Sequence, residues 1–409
     1  MKYVTGDRYW AGTDEIKNKF EYLSKDLECD VLIVGAGVTG ALCSYYFSDI
    51  DAKVVVIDKN IIGYQSTCIS TSILQYEIDT DFVGLKGIRG EKQALKAFKL
   101  CQQTVHSIKN IVDNLDEDCE FSLRDCFYYT NKNGDLKNIE NEYELRNKHG
   151  FNVEYIDKNA AKKMFSFPVK GGIYTKGASA EINPYKFAKA LINKAVSLGT
   201  EVYENTELKD FICDENGVEA ITKNGFKIKC KKLIIATGYE ARKLIKKRTT
   251  ILTRSFTLVT KPVTSFKGWH NRCIIRDSNT PYMYLRTTED DRIIAGGEDI
   301  DIGGDRSTAA VLSQTHQLST DKYNKLETIL KSMFPEITDI EIEYKFSGIF
   351  GETSDGLPYV GEYEEYPNCY FNLGYGSNGI LYSAMGADML KKLYCKENTE
   401  DLKLFSFDR

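Results

Sequence analysis

The chain has 409 residues, 42% hydrophobic and 28% charged, an ordinary balance for a globular chain long enough for two or three domains. Its net charge of −5 comes from interspersed acids and bases, so no extended basic surface is offered to nucleic acid. No run approaches the roughly eighteen apolar residues of a membrane span, and the first residues lack the apolar core of a secretion signal.

Eleven cysteines occur without a CxxC pair or regular framework, so reduced thiols and a cytoplasmic location are expected. The four histidines show no metal-ligand spacing, and no metal site is expected. In chain order, residues 29–35 read as a strand, 39–49 as a helix, and 53–58 ("KVVVID") as a β-branched strand ending in an acid. Between the first two lies "VGAGVTG" (34–40). Gly35 would allow the tight turn, Gly37 the approach of backbone to a pyrophosphate, and Gly40 close packing of helix on strand. Asp58 follows Gly35 by 23 residues, the place for a carboxylate that accepts ribose hydroxyls.

Residues 91–116 carry apolar side chains at helical spacing, from Ala94 to Leu115. Short strands follow between 120 and 180 ("CFYYT", "GGIYT"), then a helix from Tyr185 to Val196 behind Pro184. Asn-Gly turns at 216–217 and 224–225 mark a hairpin-like stretch. It runs into "KKLIIATGYEA" (231–241), a strand ending in Ala236, Thr237 and Gly238. The basic cluster "ARKLIKKR" (241–248) reads as a solvated helix face. Strands return over 251–298 ("TRSFTLVTKPV", "YMYLRT", "RIIAGGE"), a helix over 321–334, and a strand, loop and helix from Tyr370 to Leu393.

A strand ending in Ala-Thr-Gly, paired with the glycine-rich βαβ unit and without a second GxGxxG, favours FAD over a nicotinamide nucleotide. Three further stretches follow in order: "GYQSTCISTSIL" (63–74), "SGIFGETSDGLPYVG" (347–361) and "NLGYGSNGI" (372–380). With them the sequence resembles the D-amino-acid-oxidase-type FAD-dependent oxidoreductases, which include glycine oxidase and sarcosine oxidase, from about Cys29 to Leu393.

The expected fold is α/β: a doubly wound FAD-binding domain (1–90, 181–245 and 350–409) and a discontinuous, mainly antiparallel β substrate domain (91–180 and 246–349). By the resemblance, Val38, Thr39, Asp58 and Lys59 contact the adenosine and pyrophosphate, and Ser66 and Thr67 bind phosphate. Thr71, Ser72 and Ile73 line the isoalloxazine, and the Leu208 backbone holds adenine. Gly374, Gly376, Asn378, Gly379 and Ile380 wrap the pyrimidine end of the flavin. Relatives that bind flavin covalently use a cysteine where this chain has Gly348, or a histidine where it has Ile69, so non-covalent FAD is expected. Cys68, beside Ile69, reads as a small buried thiol, with a redox role as the alternative.

The resemblance implies hydride transfer to flavin from a small-molecule substrate, at a carbon bearing an amine. A 2-hydroxy acid or polyol phosphate is the alternative substrate, and a flavin hydroxylase or a non-catalytic flavin sensor is a more distant reading. The electron acceptor (oxygen, quinone or an electron-transfer protein) stays open. Glycine oxidase places a carboxylate-binding arginine where this chain has Phe350. Arg286 is the expected substitute, with Tyr282 and Tyr284 as alternating neighbours; the alternative is an ion pair of Arg286 with Glu289 or Asp290. Tyr64, Tyr76 and Tyr375 are further expected pocket-lining residues.

Overall fold

The computed structural model describes residues 3–13, 20–247, 249–304, 307–373 and 376–409. Gly374, Tyr375 and Arg248, singled out above, lie outside the described residues.

The run "VLIV" explains the first element. Val31, Leu32 and Ile33 are wholly buried, so the strand Leu27–Val34 must be covered on both faces, as strands of a parallel sheet are. It pairs in parallel with Val54–Ile57 on one side and Lys227–Ile235 on the other. Around this centre runs an eight-stranded sheet ordered Tyr359–Glu362, Cys369–Leu373, Lys227–Ile235, Leu27–Val34, Val54–Ile57, Glu201–Tyr203. The antiparallel strands Leu208–Asp214 and Gly217–Thr222 extend it.

Alternation along the strands sorts side chains onto two cores. Val31, Ile33, Val54 and Val56 face the helices Val38–Phe47, Glu91–Asp113, Pro184–Ser197 and Gly379–Tyr394. Leu32, Val34, Val55 and Ile57 face the opposite core with Val218, Ala220 and Ile228. Pro184 starts its helix, and the Asn183 side chain accepts from the N–H groups of Tyr185 and Lys186.

The second sheet has ten strands and is mainly antiparallel. Its order is Val4–Gly6, Ile342–Glu352, Ile251–Thr260, Ile293–Asp301, Tyr284–Thr287, Ile274–Asp277, Ser122–Thr130, Gly171–Glu181, Ile73–Gln75, with Val153–Asp157 beside Gly171–Glu181. One irregularity matters below. Phe256 stands opposite Gly297 and Arg254 opposite Ile300, so Ser255 faces two residues, Glu298 and Asp299. This is a β-bulge, and Glu298 takes the left-handed φ of 56° that it requires.

Four elements cross the expected division of the chain. Val4–Gly6 and Ile73–Gln75 pair into the larger sheet although they fall within 1–90. Ile342–Glu352 runs across the boundary at 350 as one strand of that sheet. The helix Glu91–Asp113 buries Ala94, Phe98 and Cys101 in the same core as Leu42, Leu381 and Leu390, beside the smaller sheet. Strand pairing and an amphipathic face, not sequence order, decide these memberships. Among the described residues, no helix is long and apolar enough to cross a membrane, and no group of three His, Cys, Asp or Glu is placed to hold a metal ion.

Candidate active site

A cavity of about 580 Å³ lies where the carboxyl ends of the smaller sheet's central strands meet the larger sheet. That is the place where open α/β sheets hold ligands. Gly35 follows the strand Leu27–Val34 with φ 103°, and a Cβ there would stand 2.5 Å from the Ala236 carbonyl oxygen. Only glycine fits. Gly40 does not line the cavity; a Cβ on it would lie 1.7 Å from the Gly35 carbonyl oxygen, so its part is to let the helix sit on the turn. Gly37 does line it, and a Cβ there would point at Thr67 Oγ1, 3.2 Å away.

The helix Val38–Phe47 begins with no side-chain cap and no acid in its first turn. Val38 N–H donates to Thr67 Oγ1 at 3.0 Å, and Val38, Thr39, Ser66 and Thr67 all line the cavity. An uncapped helix start beside hydroxyl groups suits a pyrophosphate. Asp58 accepts the Ala36 N–H at Oδ2 (2.6 Å) and the Asn60 N–H at Oδ1 (2.7 Å), which leaves lone pairs for two ribose hydroxyls. Burial raises its carboxyl above the ordinary range, and these two hydrogen bonds pull it back.

Lys59 pairs with Glu240 at 2.6 Å across the same end, and Leu208, Ala236, Thr237 and Gly238 complete its wall. Lys243 also lines the cavity, so the basic cluster at 241–248 is not only a solvated helix face; its helical turn ends at Lys243.

Toward the flavin end, Thr71, Ile73, Gly376, Asn378, Gly379 and Ile380 line the cavity. Asn378 donates from Nδ2 to the carbonyls of Glu77 (2.7 Å) and Gln75 (3.2 Å), fixing the start of the last long helix against the strand Ile73–Gln75. Ser72 does not line the cavity. It is buried, with φ 57°, and its carbonyl accepts from Arg286. Cys68 is buried, its Sγ donates to the Gln65 carbonyl, and burial pushes its thiol up to about 11, which favours the inert reading.

Gly348 and Ile69, the two residues at attachment positions, face each other: a Cβ on Gly348 would meet Ile69 Cδ1 at 2.5 Å. Among the described residues, no cysteine or histidine lines the cavity.

The far end of the cavity is walled by the larger sheet through Ser255, Thr257, Tyr282, Tyr284, Ile349 and Phe350. Arg286 is not part of this wall. It is 2% exposed, and its guanidinium donates to the carbonyls of Thr287 (3.0 Å), Ser72 (2.7 Å) and Ile182 (3.1 Å) beneath the Trp10 ring. It is absent from the cavity lining and tied to three backbone carbonyls, and the alternative ion pair with Glu289 or Asp290 is not formed either. Tyr76 is packed in the core and Tyr64 lies under the Arg8 guanidinium, both away from the cavity.

The arginine at this end of the cavity is instead Arg276, on the strand Ile274–Asp277. It is 8% exposed and lies between the rings of Tyr282 (4.5 Å) and Tyr128 (5.3 Å). Its Nη atoms donate to the carbonyls of Ile78 and Asp79 at 3.3 Å, and its Nε has no partner. Burial works against its charge, but Tyr282 and Asp79 more than offset this and hold the guanidinium above its ordinary value. The signal in the sequence was an arginine inside the apolar run "CIIRD".

The donors and glycines at the first end, the helix start and the cavity of about 580 Å³ fit a dinucleotide. Comparison with known proteins agrees. The model of the FAD dependent oxidoreductase family matches residues 30–393. A putative Rieske 2Fe-2S iron-sulfur protein of Bacillus subtilis is 26% identical, over 98% of this chain and 75% of its own length. A glycine oxidase of Geobacillus kaustophilus is 23% identical, over 93% of this chain and 97% of its own. The crystal structure of glycine oxidase from Geobacillus kaustophilus superposes with a TM-score of 0.77 at 19% identity, covering 94% of this chain and 99% of that one.

Proposed function

The chain belongs to the FAD dependent oxidoreductase family, and we propose that it oxidises the carbon–nitrogen bond of an amino-acid derivative or secondary amine bearing an anionic group. The observation that carries this reading is Arg276, a buried cation at the cavity wall whose Nε–H is unpaired. Bound FAD would accept the hydride; Gly35, Gly37, Val38, Thr39, Asp58 and Thr67 would hold its pyrophosphate and ribose. The chain's own work is then to bind, orient and exclude water.

Arg276 would hold the anion, and Phe350 would offer an apolar wall where a carboxylate clamp is missing. Their strands stand four positions apart in the larger sheet, with backbones roughly 19 Å apart before side chains reach inward. A substrate touching both must be longer than glycine or alanine. The glycine oxidases among the relatives support amine chemistry; the substitution at Phe350 supports a different amine.

The test is anaerobic bleaching of the bound flavin by a panel of N-alkylated amino acids, D- and L-amino acids, acylated diamines and 2-hydroxy acids. Fast bleaching by a long anionic amine is expected. Bleaching by hydroxy acids alone moves the reading to carbon–oxygen oxidation. Reduction by NADPH alone points to a hydroxylase, and no bleaching at all to a non-catalytic flavoprotein.

A further inference from the structure

The bulge in the strand Ile293–Asp301 gives two consecutive acids opposite destinations. Glu298 turns toward the helix Gln317–Met333, where Lys322 (3.0 Å) and Lys325 (2.7 Å) hold its carboxylate. Asp299 is left beside Ser255, and its Oδ1 is buried without a hydrogen-bond partner. Ser255 lines the cavity, and its Oγ lies 3.0 Å from the hydroxyl of Tyr284, which also lines it. Tyr284 is seated by the opposite residue, Gly296, on which a Cβ would meet the ring at 2.2 Å. A bulge beside a site re-aims a side chain, and here it adds a carboxyl group to the end of a chain of two hydroxyls.

We propose that Asp299, acting through Ser255 and Tyr284, takes up the proton that a substrate ammonium must lose before its carbon can release hydride. The proposal rests on the amine reading above. In the step, an N–H bond of the ammonium breaks and its proton goes to Tyr284 Oη. The Tyr284 proton passes to Ser255 Oγ, and the Ser255 proton passes to the Asp299 carboxylate. A neutral amine remains, and the electron pair of its C–H bond leaves to FAD, the oxidant that the family supplies.

The surroundings tune the acceptor. Burial pushes the Asp299 carboxyl up to about 7; the neighbouring Glu352 and Asp79 also raise it, while the adjacent Ser255 hydroxyl and Lys322 pull it down. Tyr282 and Tyr284 face it from the neighbouring strand, and Asp299 adds to the burial that holds both phenols above their ordinary value. Tyr284 therefore does not ionise near neutral pH and serves only to pass a proton. An acceptor matched to the working pH suits acid–base chemistry. Asp299 touches neither substrate nor cofactor in this scheme, so it is a positioning and proton-storing residue.

The experiment follows anaerobic flavin reduction in the holoenzyme from about pH 5 to about pH 9, at saturating amine, with the best reductant in the panel. Wild type should show a rate that rises through an apparent pKa near 7. In Asp299→Asn that limb should vanish and the rate at neutral pH should fall roughly 100-fold, with Asp299→Glu restoring both. Ser255→Ala and Tyr284→Phe should weaken the limb while leaving FAD affinity unchanged. Infrared difference spectra of the oxidised holoenzyme supply a readout free of turnover: a protonated carboxyl band lost as pH rises through 7 and absent from Asp299→Asn. A limb that survives in Asp299→Asn, or no carboxyl titrating there, overturns the relay alone. Failure of every amine to reduce wild type, at any pH, overturns the amine reading and the relay with it.

Discussion

Arg276 and Arg286 lie on antiparallel neighbouring strands and both are buried, yet their guanidinium groups meet different partners. Arg286 ties the carbonyls of Ser72 and Ile182 to its own strand, so its removal leaves two buried acceptors unpaired. Arg286→Ala should cost roughly 3 kcal/mol of stability in denaturant unfolding. Arg276→Ala should instead leave FAD affinity unchanged and cost about 2–5 kcal/mol in kcat/KM for an anionic substrate. Swapped outcomes would return anion binding to Arg286. Asp299 makes a third, independent prediction. Its carboxyl is near 7 in the folded chain against 3.8 in the unfolded one, so the folded state binds its proton more tightly. Stability from this group is present below about pH 4 and falls as pH rises toward 7. In thermal melts of apoprotein, Asp299→Asn should match wild type in acid and exceed it above neutrality. Partial exposure of the group trims the gain to the order of 2 kcal/mol.

At the scale of elements, the turn from Leu27–Val34 into the helix Val38–Phe47 carries the nucleotide end. Gly37→Val should abolish FAD retention on gel filtration, because a branched side chain would project from the turn into the cavity. This unit was legible because its signals are local: glycine spacing, a β-branched run and an acid at the strand end. The helix Leu136–Lys148 was not, and its buried face explains why. That face includes Glu142 and Arg146, paired with each other at 2.6 Å, so the apolar stripe that announces a helix is interrupted by charge. The strand Ile274–Asp277 falls in the stretch 251–298 expected to be β-rich, but it was not singled out, for a related reason. Four residues with an arginine inside do not read as a strand, and only pairing with Ser122–Thr130 and Tyr284–Thr287 makes them one. The same blindness sent the anion site to Arg286. Alternation placed Arg286 on a face, but only tertiary structure shows which carbonyls wait for it.

Across the whole molecule, the cavity joins the two sheets without offering a thiol or imidazole to the flavin among the described residues. Acid precipitation should therefore release essentially all FAD into the supernatant, and yellow colour in the washed pellet would contradict it. The chain passes between the two sheets five times among the described strands, so neither sheet is made from one stretch. This interleaving has a consequence for synthesis on the ribosome. The strands Tyr359–Glu362 and Cys369–Leu373 and the helix Gly379–Tyr394 emerge after every other described strand of both sheets. Until then the strand Lys227–Ile235 presents the edge that Cys369–Leu373 later pairs, at the apolar residues Leu233, Ile234 and Ile235. A nascent chain at that stage has an open, hydrophobic sheet edge and an incomplete flavin cradle. Cofactor capture thus comes late in translation, and the interval before it is when the unfinished chain most needs shielding from its neighbours.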